Sequence, residues 1–225
     1  MTASPEHAML PFTHQQFLDV LSAYNAAAWP AQVLAYLAGL AACFALVRRG
    51  PGSGRFVATT LAVGWAWTGV AYHLLQFTHI NPAAYAFGAL FLLQSALFLL
   101  AGWQGRLEFG AAGGPRRVLA WALFAYSGVV YPLIGLAAGM PAAQLPMFGI
   151  TPCPLTLFTF GVLLLATARL PWWLVVVPSA WALVGGSAAF LLQVPQDWPL
   201  FFSVLLVPVL VRHRRGDAVT ATATP

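Results

Sequence analysis

The chain has 225 residues, of which 60% are hydrophobic and only 7% charged, with a formal net charge of +5. Soluble domains carry about 25% charged residues, so this composition belongs to a membrane chain and leaves no room for a sizeable soluble domain. All ten basic residues are arginine. Their placement is topological rather than a nucleic-acid footprint, and without lysine a retinal-type Schiff base is excluded.

Residues 1–11 carry no periodic pattern. The first apolar run follows Glu6, His7, His14 and Asp19 rather than a basic stretch, so no signal peptide is expected. Thr13-His-Gln-Gln16 reads as a capping box. Phe17, Leu21 and Tyr24 then recur at i, i+4, i+7, while Gln15, Asp19 and Ser22 occupy other faces. The pattern predicts a short amphipathic helix lying in the membrane interface, either an anchor or a lid over a site. Residues 1–28 are thus read as an extracytoplasmic N-terminal segment.

Seven apolar segments follow, at 29–47, 56–77, 82–103, 117–139, 154–168, 172–193 and 198–211. A bilayer core of about 30 Å needs roughly 20 apolar residues per helix. The expectation is an all-α polytopic membrane protein with seven transmembrane helices over 29–211 and a tail at 212–225. With seven spans every arginine falls on one side, which the positive-inside rule makes cytoplasmic. The other side carries Glu6, Asp19 and Asp197. The N-terminus is then outside and the C-terminus cytoplasmic.

Segments 154–168 and 198–211 are short, about 21–23 Å at 1.5 Å per residue. Both finish near cytoplasmic arginines, so their outer starts lie below the membrane surface. Non-helical backbone at that depth requires a protein-lined or watery cavity. The stretch 147–159, with Thr151-Pro-Cys-Pro154, marks one such start.

An internal repeat accompanies this topology. Thr68-Gly-Val-Ala-Tyr-His-Leu-Leu75 matches Ser127-Gly-Val-Val-Tyr-Pro-Leu-Ile134, with Gly69 and Gly128 59 positions apart. Leu74-Leu-Gln76 with Pro82 matches Leu191-Leu-Gln193 with Pro199 at nearly twice that offset. The chain reads as one leading helix plus three helical hairpins of like orientation, a parallel-repeat plan known among transporters. The outer turns His79–Pro82, Thr151–Pro154 and Gln196–Pro199 then become equivalent.

These turns hold the candidate ligand-binding residues: His73, His79, Asn81, Tyr72, Gln76, Thr151, Cys153, Thr156 and Asp197. An ionisable residue within a span is expensive to bury and is a functional candidate by default. One reading is transport or binding of a soft or borderline transition-metal ion by Cys153, His79, His73 and Asp197, since thiolate and imidazole suit such ions. A second is a membrane enzyme in which Cys153, at a helix N-terminus, is an outward-facing nucleophile, His79 or His73 its base and Asp197 the orienting acid. A third keeps the cavity for a small polar or anionic solute, with Thr151, Thr156 and Thr159 as hydroxyl donors at a helix start. A sensor or assembly subunit without transport completes the alternatives. Gln32, Gln94, Tyr126 and Tyr131 are read as interhelical hydrogen-bonding residues.

Several classes drop out. No Gly-rich phosphate loop and no His-x-x-Glu-His arrangement is present. Two cysteines, Cys43 and Cys153, are too few for an iron–sulfur cluster, and their expected positions near opposite faces argue against a disulfide. The His, Asp and Ser set of ceramidase-type membrane hydrolases is missing.

Pro152-Cys153-Pro154 resembles a motif of bacterial nickel/cobalt efflux permeases. Pro11-Phe-Thr13, Tyr24-Asn-Ala26, Trp29-Pro30, Tyr72-His73, Ile80-Asn-Pro82 and Thr151-Pro-Cys-Pro154 together resemble an uncharacterised bacterial multi-pass membrane family, a domain of unknown function. That resemblance implies seven spans in the bacterial inner (cytoplasmic) membrane and no particular activity. The expected partners are the lipid bilayer and a small solute or metal ion, not nucleic acid, with self-association into a homo-oligomer left open.

Overall fold

The computed structural model describes residues 10–110, 113–167, 169–206, 208 and 210. Among these the chain is helical, with no strand beyond an isolated bridge between Phe109 and Ala166. The tail at 212–225, with its three arginines, and residues 1–9 lie outside the described residues.

Helix α1, His14–Ala27, starts on the expected capping box: Thr13 Oγ1 accepts from the Gln16 amide, and Gln16 Oε1 from the Thr13 amide. Its apolar face of Phe17, Leu21 and Tyr24 is buried against protein. Next come α2 (Ala31–Arg48), α3 (Ser53–Trp67), α4 (Ala84–Trp103), α5 (Gly114–Ala125), α6 (Tyr131–Ala137), α7 (Pro152–Leu165), α8 (Trp173–Leu191) and α9 (Trp198–Ser203). Four helical stretches are long and apolar enough to cross a membrane: Ala31–Arg48, Ala84–Trp103, Gly114–Ala137 and Trp173–Leu191. This is compatible with a membrane protein.

The short helix α7 sits at the centre. Every one of its residues except Cys153 is buried, and it packs against α3, α5, α8 and α9. A helix that is apolar all round must be covered on all sides, and here neighbouring helices supply the cover. Trp65 from α3 is fully buried against it and donates its indole N–H to Thr159 Oγ1 at 3.0 Å.

Prolines inside helices leave carbonyls without their usual amide, and two of these are satisfied from other helices. Pro178 in α8 cannot donate to Leu174, whose carbonyl accepts from the buried Gln94 side chain of α4 at 3.2 Å. Pro132 in α6 cannot donate to Gly128, whose carbonyl accepts from Tyr36 of α2 at 2.8 Å. The two prolines thus leave carbonyls that tie neighbouring helices together.

Two helices loosen into π geometry. α3 continues as the π-helical Thr68–Leu74, and α5 joins α6 through the π-helical Tyr126–Val130. These are the segments that the 59-residue offset pairs, and π turns in otherwise regular helices cluster at functional sites.

The arginine-bearing ends gather together. Arg49, Arg117 and Leu165 line one recess, and the Thr167 amide donates to the Glu108 carbonyl at 2.9 Å. At the other end, α1 packs beside the turns that precede α4, α7 and α9.

Candidate functional site

A cavity of about 170 Å³ opens at the end of the bundle opposite the arginines. Each of the three turns expected to be equivalent contributes to it: Asn81 from the first, Thr151, Pro152 and Cys153 from the second, and Asp197 from the third. Leu10, Phe12, Phe17 and Leu21 close it from the N-terminal side. The helix expected as an anchor or a lid therefore forms one wall of a pocket.

That wall is fastened in place. The Tyr24 hydroxyl donates to the Ile150 carbonyl at 2.6 Å and accepts from the Trp67 indole at 2.9 Å. Burial raises the Tyr24 phenol well above its usual range, so it stays a donor at any physiological pH. Asn25 donates to the carbonyls of Ala143 and Leu145 at 2.9 and 2.8 Å. Phe17 and Tyr24 make edge contacts with Phe77 and Tyr72 below.

Asp197 forms the polar floor. It lies in the 3-10 turn Pro195–Asp197 between α8 and α9 and is 3% exposed. Tyr131 of α6 donates a short hydrogen bond to Asp197 Oδ1. The Cys153 thiol also interacts with Asp197, and Tyr131 and Trp181 stand against the same sulfur. Tyr126 holds the turn by donating to the Gln196 carbonyl at 2.9 Å. Burial raises the Asp197 carboxyl to about 7, against the pull of the hydrogen bonds from Tyr131 and Cys153. A buried carboxylate costs free energy unless it is paired, and none of the described basic residues lines the cavity.

The other expected site residues divide clearly. Tyr72 lines the cavity with Asn81, Thr151, Cys153 and Asp197. His73 is fully buried behind it, enclosed by the rings of Tyr72, Phe87, Phe91 and Trp181, and neither ring nitrogen has a hydrogen-bond partner. His79 is exposed, with Nδ1 2.9 Å from the Gln76 carbonyl, and neither His79 nor Gln76 lines the cavity. Thr156 is buried in α7 and donates to the Pro152 carbonyl.

This arrangement narrows the chemistry. Among the described residues no group of three or more His, Cys, Asp or Glu side chains is placed to hold a metal ion. Of the four proposed metal ligands, only Cys153 and Asp197 meet. Neither His73 nor His79 is hydrogen-bonded to Cys153, so the expected Cys–His pair is not assembled. The hydroxyls of Thr151, Thr156 and Thr159 all donate to backbone carbonyls one turn back, which leaves none for an anion. Cys43 and Cys153 are both free thiols.

Tyr131, read from the sequence as an interhelical hydrogen-bonding residue, also belongs to the site, and Trp181 was not singled out. The 59-residue offset carried the signal for Tyr131, because it aligns Tyr131 with Tyr72 and both line the cavity. Trp181, in mid-helix, had no local signature. A larger groove of about 450 Å³ runs between α2 and α3, but no ionisable residue lines it.

The fold and cavity define a helical bundle with membrane-length apolar helices and a mostly apolar pocket floored by one carboxylate. The chain belongs to DUF6064, a family of unknown function whose model matches residues 14–221. No curated protein and no solved structure matches it.

Proposed function

We propose that this chain is a seven-span integral membrane protein of the cytoplasmic membrane that binds a small solute in an extracytoplasmic cavity beneath α1. The observation that carries this reading is the Asp197–Tyr131–Cys153 cluster on the floor of an otherwise apolar pocket. A concave, mostly apolar site with a few convergent polar groups is the usual form of a small-molecule site. The two π-helical segments fit it too, since Tyr72 within the first and Tyr131 directly after the second both line the pocket.

The orientation follows from charge. Arg48, Arg49, Arg55, Arg106, Arg116, Arg117 and Arg169 attach to helix ends away from the cavity, which makes the cavity mouth extracytoplasmic by the positive-inside rule. Reporter fusions at the C-terminus check this. A green fluorescent reporter should fluoresce and alkaline phosphatase should be inactive, and the opposite pair of results would invert the topology.

Solute binding is tested by thermal shift on purified full-length protein, because a ligand of the native state raises its melting temperature. The screen runs on wild type and on Ala188→Phe, which adds bulk to the lining. A solute that stabilises wild type but not the variant supports the reading. A broad panel in which no solute separates the two proteins refutes it.

A further inference from the structure

We propose that the solute of this cavity is a small organic cation, a tertiary or quaternary ammonium of about five to eight heavy atoms, with Asp197 as its counter-ion. The inference rests on the cavity reading above and names the ligand class of that site.

Charge sets the sign of the ligand. Asp197 is the one carboxylate among the described residues of the lining, and none of the described arginines or histidines contributes to it. A desolvated carboxylate without a cationic neighbour is left to be paired by whatever enters. The hydroxyl of Tyr131 already occupies one carboxylate oxygen, Oδ1. Tyr131 and the Cys153 thiol are both neutral donors, so they leave the charge of the carboxylate unbalanced, and one compact cation would balance it.

The walls set its character. Phe12, Phe17, Tyr72, Phe77, Phe87 and Trp181 all contribute to the lining. Aromatic walls attract cations through their ring quadrupoles, and recognition of quaternary ammonium groups by aromatic cages is the best-known use of that attraction. Aliphatic lining such as Leu191 and Ala188 accommodates the methyl groups such a cation carries. A bare metal ion lacks the oxygen-rich shell it would need here, whereas an alkylammonium brings its own apolar coat.

Size sets the upper bound. A cavity of about 150 Å³ is enough to hold benzene, and this one is about 170 Å³. Tetramethylammonium and choline fall within that range, while a peptide or a whole lipid headgroup with its glycerol does not.

The test uses purified full-length protein and three probes of nearly equal shape: choline, the neutral 3,3-dimethylbutan-1-ol and the anionic trimethylacetate. Choline should bind wild type at least tenfold more tightly than the alcohol does, and trimethylacetate should be weakest. In Asp197→Asn that preference should vanish while the alcohol still binds. Ser187→Lys, at a half-buried position in the lining, supplies a second variant should Asp197→Asn fail to fold. It should weaken choline at least severalfold and leave the alcohol unchanged. Equal binding of choline and the alcohol, or an unchanged choline affinity in either variant, overturns the inference while leaving a solute cavity standing. No choline binding to wild type also overturns it. Failure of the cavity reading itself shows separately, as a broad panel blind to Ala188→Phe.

Discussion

Asp197 should make the stability of this protein depend on pH, with a sign set by which state holds the proton. Burial raises its carboxyl to about 7, from an ordinary 3.8. Between about pH 4 and 7 the folded protein therefore keeps a proton that the unfolded chain has released. The stability contributed by this group is fully present below about pH 4 and is lost as pH rises through 7, at about 1.4 kcal/mol per pH unit. Across the window the loss is on the order of 4 kcal/mol. The titratable groups that face Asp197 are Tyr72, Tyr126, Tyr131 and Cys153. Asparagine keeps the shape and cannot titrate, so Asp197→Asn isolates the effect. The assay is unfolding free energy in one detergent, read by tryptophan fluorescence, from about pH 4.5 to 8. Every other titrating group is common to both proteins and cancels in their difference. Wild-type stability relative to Asp197→Asn should fall from acid to neutral pH and level off above about 7. A difference that stays flat would refute the reasoning, because it would mean that the carboxyl is hydrated or ion-paired in the folded protein.

The lock between Gln94 and the Leu174 carbonyl should behave as a pair. Gln94→Leu leaves a buried carbonyl unpartnered, at a cost of about 1–3 kcal/mol, and most of that cost should disappear in a Pro178→Ala background, where the helix can supply its own amide. A double-mutant cycle on unfolding free energy checks this, and additive effects would sink it. Gly186→Ala would place a Cβ 2.7 Å from Phe201 Cα and 2.9 Å from its amide nitrogen. Backbone cannot yield as a side chain does, so α9 must shift, and a loss of about 1–3 kcal/mol is expected in thermal unfolding. Asn25→Ala removes two hydrogen bonds that hold α1, each worth about 1 kcal/mol net. In a Cys43→Ser background it should speed labelling of Cys153 by a small thiol reagent, and an unchanged rate would show that α1 does not gate the cavity.

Helical class and α1 were legible because each has a strong local signal. Long apolar stretches pointed to helices, four of which are of membrane length, and a capping box before an i, i+4, i+7 apolar face marked the start of α1. The turn at Thr151–Pro154 was legible for a different reason: prolines suit the first turn of a helix, and α7 starts at Pro152. The neighbours of that turn were not. Which of His73, His79 and Asp197 faces Cys153 depends on helix rotation, and an almost uniformly apolar helix has no polar face from which rotation can be read. His79 therefore turned out exposed, His73 sealed among aromatic rings, and only Asp197 reached the sulfur. The cover over α7 was equally hidden. Its shortness reads as a depth in the membrane, while in the structure neighbouring helices enclose it on every side.

The paired segments Thr68–Leu75 and Ser127–Ile134 join these levels. Both carry a tyrosine four residues after a Ser or Thr, and both run through π geometry. A π turn widens the helix by one residue and so rotates everything beyond it. Tyr72 and Tyr131 lie at or just beyond the widened turns, and both arrive at the same cavity. The sharpest of the four differences between the two copies is that His73 in the first stands where Pro132 stands in the second. Proline there frees the Gly128 carbonyl for Tyr36, and the tyrosine before it, Tyr131, bonds Asp197. Histidine in the other copy buries two unpartnered nitrogens directly behind the cavity wall. A leucine of similar bulk would avoid that cost, so packing does not account for His73.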